Sequence, residues 1–110
     1  MKNTITVSPT NKACGAEVTG IDISKPMSQL EVQEIREAWL KHHVLAFPDQ
    51  RLSNEQFERF ALYFGEFGED SFFGHIPGSD HIATVIREAD DTSPIFAQVW
   101  HTDWSFQEFP

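Results

Sequence analysis

Two capping boxes, Ser28-Gln29-Leu30-Glu31 and Ser53-Asn54-Glu55-Gln56, constrain this chain more than any other feature. In such a box the serine side chain accepts from the backbone N–H three residues on. The acid or amide at that position returns a bond to the serine N–H, so a helix starts at a defined residue. The first box predicts a helix to about His42, with Val32, Ile35, Trp39 and His42 on one stripe and Glu31, Glu34, Glu37 and Lys41 on other faces. After the second box, Phe57, Phe60, Ala61 and Phe64 recur at i, i+3, i+4 and i+7, a core-facing helical pattern that Gly65 and Gly68 should stop.

The segments around these helices read as strands. Ile5 and Val7 alternate with threonines up to Ser8-Pro9. Residues Gly15 to Ile23 form a second extended pattern with Gly20 as a bulge or turn, and their glycines lack the spacing of a phosphate-cradling loop. Val44-Leu45-Ala46-Phe47, closed by Pro48-Asp49, predicts a buried strand. Residues 66–80 are loop-like, Ile82 to Arg87 reads as a strand, and Glu88 to Pro94 as a solvated acidic turn. His42-His43 suits a helix C-terminus, where cationic groups meet the dipole, while His75 and His81 fall in the loop.

Composition limits the functions open to these elements. With 110 residues, 40% hydrophobic and 23% charged, the chain has globular rather than disordered character. A formal net charge of −9 speaks against nucleic acid or an anionic membrane surface as partner, yet leaves room for a small anion in a local pocket. The single Cys14 cannot form an internal disulfide, and neither a signal-type leader nor a spanning apolar run is present, so a cytoplasmic setting is expected. Association into a homo-oligomer is left open.

The chemistry lies in the closing stretch, Trp100-His101-Thr102-Asp103-Trp104-Ser105-Phe106. If Ile95 to Phe106 is extended, His101 and Asp103 project to the same side. An imidazole nitrogen beside a carboxylate oxygen makes two corners of a 2-His-1-carboxylate site, an arrangement that leaves positions open for a co-substrate and dioxygen. In isolation the same pair also reads as a surface hydrogen bond. A hydrolytic metal site would use it too, but no further ligand cluster is at hand. Trp100, Trp104 and Phe106 stand ready either to shield a metal or to pack a sheet.

Several blocks together resemble the taurine and 2,4-dichlorophenoxyacetate dioxygenases, which use iron(II) and 2-oxoglutarate. They are Gly15 to Asp22, Pro26-Met27-Ser28, His43 to Phe47 with Asp49-Gln50, Phe60-Ala61 through Phe64-Gly65, and Trp100 to Asp103 with Ser105-Phe106. The resemblance implies an α+β chain forming the N-terminal part of a double-stranded β-helix, or jelly roll, with two flanking helices and an incomplete core. Residues 1–110 would be the N-terminal portion of one dioxygenase domain, cut after the His-x-Asp motif.

By the same resemblance His101 and Asp103 are iron ligands, and 2-oxoglutarate, dioxygen and a small organic acid are the reaction partners. The family's distal histidine and 2-oxoglutarate arginine would lie beyond Pro110, so neither the co-substrate nor the substrate contacts are assigned. Taurine-specific members carry a histidine and a tyrosine where this chain has Asp70 and Phe73, and an asparagine where it has Ala97. A substrate other than taurine is therefore expected. The alternative is a non-catalytic binding or assembly module that keeps the fold. Expressed alone, the 110 residues should expose edges and apolar surface and tend to aggregate.

Overall fold

A computed structural model describes residues 4–69, 72–95 and 97–108. Three strands form one sheet in the order β1 (Thr6–Pro9), β2 (Ala16–Thr19), β3 (Leu45–Ala46), with α1 (Gln29–His42) between β2 and β3 and α2 (Asn54–Leu62) after β3. β1 and β2 are antiparallel with Val7 opposite Val18, whereas β2 and β3 are parallel with Ala16 opposite Leu45. Along β2, Ala16 and Val18 are buried and Glu17 is exposed, the two-residue alternation of a strand with one covered face.

Both predicted helix starts are present. Ser28 and Ser53 are N-caps with extended backbone, and each box closes in both directions. The C-terminus of α1 turns at His43, whose φ of 68° is left-handed and whose N–H donates to the Trp39 carbonyl at 2.7 Å. Ile35 carries the packing of α1: it is 2% exposed and meets Val18, Ile21 and Ile23 to form the buried cluster.

The second extended pattern stops earlier than expected, at Thr19, because Gly20 bends the chain with φ of 79°. A Cβ built there would lie 2.2 Å from the Thr4 carbonyl oxygen, so only glycine fits both the conformation and the space. Gly20→Ala is expected to lower unfolding stability by about 1–3 kcal/mol or more in urea titrations. An unchanged midpoint would mean that the close approach is not part of the fold. Beyond the turn, Ile21 and Ile23 stay buried without a strand neighbour, and Gln50 takes that neighbour's place. Its side-chain oxygen accepts from the Ile23 N–H at 3.1 Å and its amide donates to the Ile21 carbonyl at 3.0 Å.

Other expectations are corrected. β3 is a two-residue edge strand with Leu45 half-buried and Val44 58% exposed, because it is paired on one side only. α2 ends at Leu62, since its last turn tightens into i→i−3 bonds from Tyr63 to Phe60 and from Phe64 to Ala61. That tightening brings Phe64 edge-on to both Phe60, at 5.3 Å, and Trp39, at 6.2 Å. Phe57 is not core: it is 51% exposed, one turn ahead of the contacts that bury Phe60 and Phe64. Residues 82–87 do not form a strand. A single antiparallel bridge links His75 to Ala83, and Val85 and Ile86 are exposed because no neighbouring strand among the described residues pairs with them.

The helices are tied to the chain around them by polar contacts that periodicity does not show. The Tyr63 hydroxyl accepts from the Met27 N–H at 3.0 Å, Arg36 donates to the Phe64 carbonyl at 3.1 Å, and Arg59 donates to the Ser24 carbonyl. No helix among the described residues is long and apolar enough to cross a membrane.

The first capping box also sets a pH response. The Ser28 backbone N–H, and then its hydroxyl, hold the Glu31 carboxyl below its ordinary value of 4.5. A depressed folded-state value means that the stabilisation is present above that ordinary value and lost as pH falls through the lower one. Glu31→Gln keeps the shape and removes the titration, so it should flatten part of the acid-side loss of stability; an unaltered acid slope would contradict this. Solvent screening keeps the effect small.

Candidate metal centre

His101 and Asp103 do come together, though not on a strand. Among the described residues, 97–108 hold turns at either end rather than a strand: the Gln98 N–H donates to the Ile95 carbonyl at 3.2 Å and the Gln107 N–H to the Trp104 carbonyl at 2.8 Å. Left-handed backbone at Ala97 (φ 56°) and Trp104 (φ 49°) bounds the stretch that holds the pair. The side chains of His101 and Asp103 nonetheless lie on the same side, as expected, and the turn begins only at Asp103. For a bulky residue such as Trp104 the left-handed region is unfavourable, costing on the order of 1–3 kcal/mol, and persists only where surrounding contacts hold it.

The His101 Nε2 lies 2.9 Å from Asp103 Oδ1, and its Nδ1 lies 2.7 Å from the Val99 carbonyl oxygen. A carbonyl can only accept, so Nδ1 carries a proton; the Asp103 carboxylate also only accepts, so Nε2 donates to it when protonated and becomes free to bind a cation on losing that proton. The Val99 carbonyl thus performs the orienting task that backbone carbonyls perform behind ligating histidines. It also raises the His101 pKa above the ordinary value of 6.5; removal from solvent acts against this and the Asp103 carboxylate acts with it. A cation at Nε2 would compete with the Nε2 proton, so its binding would strengthen as pH rises through the His101 value.

The donor set suits a divalent transition metal. Neighbouring ligands at about 2.1 Å from an octahedral ion stand roughly 3 Å apart, the spacing of Nε2 and Oδ1 here. Both side chains are open to solvent, at 42% and 81% exposure, which a cation and its remaining ligands require. Among the described residues no third His, Cys, Asp or Glu joins them in a metal-holding group. His75 sits in the bridge to Ala83 and the His81 ring stacks on Phe67 at 4.0 Å, so each has its own structural occupation.

A depression of about 660 Å³ surrounds the pair, lined by Phe72, Phe73, Ala97, Val99, Trp104 and Phe106 besides His101, Thr102 and Asp103. Phe73 and Ala97, two of the three positions singled out in the sequence for substrate contact, lie in this lining; Asp70 lies outside the described residues. The three candidate shielding aromatics divide. Trp100 is fully exposed and covers nothing, Phe106 is 69% exposed, and Trp104 is half-buried.

Spacing along the chain gave no sign of what docks this turn on the 66–73 loop. Phe72 meets Trp104 at 5.5 Å and Phe106 at 5.9 Å, Trp104 meets Phe106 at 5.5 Å, and Gln107 donates to the Glu69 carbonyl at 3.1 Å. The only available signal was the aromatic density on both sides of a long loop.

The chain is similar to known proteins over much of its length. The family model described as "Taurine catabolism dioxygenase TauD, TfdA family" matches residues 6–110. An (S)-phenoxypropionate/alpha-ketoglutarate-dioxygenase of Delftia acidovorans is 35% identical over 92 residues, covering 84% of this chain and 29% of the relative. The crystal structure of a taurine dioxygenase from Burkholderia xenovorans aligns with a TM-score of 0.61 at 38% identity, over 67% of this chain and 27% of that one. The structure of AAD-2 in complex with Mn(II) and N-oxalylglycine aligns with a TM-score of 0.57 at 35% identity, over 59% and 24%. The chain therefore spans less than a third of each of these relatives.

Proposed function

Because this chain belongs to the TauD/TfdA dioxygenase family, we propose that the protein carrying it is an iron(II)- and 2-oxoglutarate-dependent dioxygenase that hydroxylates a small organic acid. In this reading residues 1–110 are the N-terminal portion of a double-stranded β-helix domain. His101 Nε2 and a carboxylate oxygen of Asp103 hold the metal. The observation that carries the reading is the pair itself: two donors of the right chemistry, 2.9 Å apart, with His101 Nδ1–H donated to the Val99 carbonyl.

Bound iron supplies the oxidative chemistry, in which 2-oxoglutarate and dioxygen become succinate and carbon dioxide while one oxygen atom enters the substrate. The chain's own residues bind and orient. Val99 fixes the ring so that Nε2 faces Asp103. Phe72, Phe73 and Trp104 wall one side of the depression and reduce water access.

The substrate reading follows from the wall. Taurine-type members place polar side chains at two positions where this chain has Phe73 and Ala97, so a sulfonate finds neither partner. A carboxylic acid bearing an aryl or other apolar group fits the aromatic lining better. The test is 2-oxoglutarate-dependent succinate release by the intact protein under iron(II), with an aryloxyalkanoic acid against taurine. The aryl acid should be the better substrate. Preference for taurine would overturn the substrate class, and absence of both turnover and iron affinity would leave a non-catalytic module as the reading.

A further inference from the structure

We propose that Trp104 is a positioning residue for the metal pair: its ring, clasped by Phe72 and Phe106, holds the left-handed turn that keeps Asp103 beside His101. The inference rests on the ligand assignment made above, and three observations support it. Trp104 directly follows Asp103 and takes φ of 49°, which a free tryptophan backbone would leave. The ring is half-buried although His101, Thr102, Asp103 and Ser105 around it are exposed, with Phe72 and Phe106 each 5.5 Å away. The turn is closed by the Gln107 N–H on the Trp104 carbonyl at 2.8 Å, and Gln107 reaches on to the Glu69 carbonyl at 3.1 Å.

Asp103 has little else to hold it. Its carboxylate is 81% exposed, and a side chain so open spends most of its time away from any one neighbour unless the backbone limits its reach. The backbone limit comes from the next residue. If the ring leaves the clasp, the left-handed turn loses its compensation and relaxes, and the carboxylate moves off Nε2. Phe72 belongs to the loop that carries Phe73, so the clasp also ties the substrate wall to the ligand pair.

The experiment is Mn(II) titration of the intact protein, followed by loss of the free-ion electron paramagnetic resonance signal, for Trp104→Ala, Trp104→Gly and Trp104→Phe. Alanine should weaken Mn(II) binding by about ten- to a hundredfold, the range seen when groups behind a ligand are removed. Glycine tolerates the left-handed backbone yet lacks the ring, so it should lose affinity like alanine. Phenylalanine should restore binding to within about threefold, since an aromatic face is what the clasp needs.

Wild-type affinity in folded Trp104→Ala or Trp104→Gly would overturn the proposal, as would failure of Trp104→Phe to rescue. If the alanine variant does not fold, Phe72→Leu opens the same clasp from the other loop, and unchanged Mn(II) affinity there overturns it equally. His101→Ala separates the two claims. If wild-type protein binds no Mn(II), or binds it equally without His101, the ligand assignment fails; if only the Trp104 series is unaffected, the positioning role fails.

Discussion

His101→Ala should reduce 2-oxoglutarate-dependent succinate release by at least about a hundredfold while leaving the thermal midpoint of the protein nearly unchanged. The two halves of that expectation come from different facts. Removing groups that merely support a ligand costs about ten- to a hundredfold in metal affinity or activity, so removing the ligand itself exceeds that range. The imidazole is 42% exposed and lies outside the buried cluster, so its loss takes little packing with it. Asp103→Asn sharpens the test, because the amide keeps the size and the hydrogen-bonding reach but loses the charge that a cation needs. Full activity in either variant would remove the pair from the site. A parallel loss of activity and of folded protein would make the pair structural instead.

The largest effect on stability is expected from Ile35→Ala, at about 2–5 kcal/mol in urea or thermal unfolding. Ile35 is 2% exposed and touches strand and post-strand residues at once, so the cavity left behind cannot be closed by one neighbour moving. Against a total that for most domains is roughly 5–15 kcal/mol, such a loss is severe. Phe57→Ala provides the contrast. It removes more atoms, but from a ring that is 51% exposed, and should cost less than Ile35→Ala. The reverse ranking would place the core of this unit around α2 rather than between α1 and the sheet.

That ranking also marks how far the chain could be read before its structure was known. The two serine boxes were legible because a cap is local: its partners are three residues apart, and both boxes close as expected. Gly20 was legible as a break, although the reason only glycine fits, the Thr4 carbonyl, is a contact between segments. Phe57 was misread because periodicity reports which face is apolar, not how far the covering surface extends along it. The strands expected at 82–87 and 95–106 were misread for a related reason. Strand character is settled by a hydrogen-bonding neighbour, and among the described residues the first has only the bridge at Ala83 and the second has no strand partner and turns from Asp103 on. The closeness of His101 and Asp103 did not need a strand: alternation over two residues puts both side chains on one side, and they lie 2.9 Å apart although the described residues there form no strand. Gln50, Phe72 and Gln107 stayed invisible, because each works on a partner far off in the chain.

The strand order β1-β2-β3 repeats the order of the chain. During synthesis this means that β2 and β3, as each leaves the ribosome, find a neighbour already made. β1 and β2 can close as a hairpin across six intervening residues before α1 exists. β3 then adds in parallel beside β2 only after the α1 segment is available to make the crossover. Assembly of this sheet can keep pace with translation.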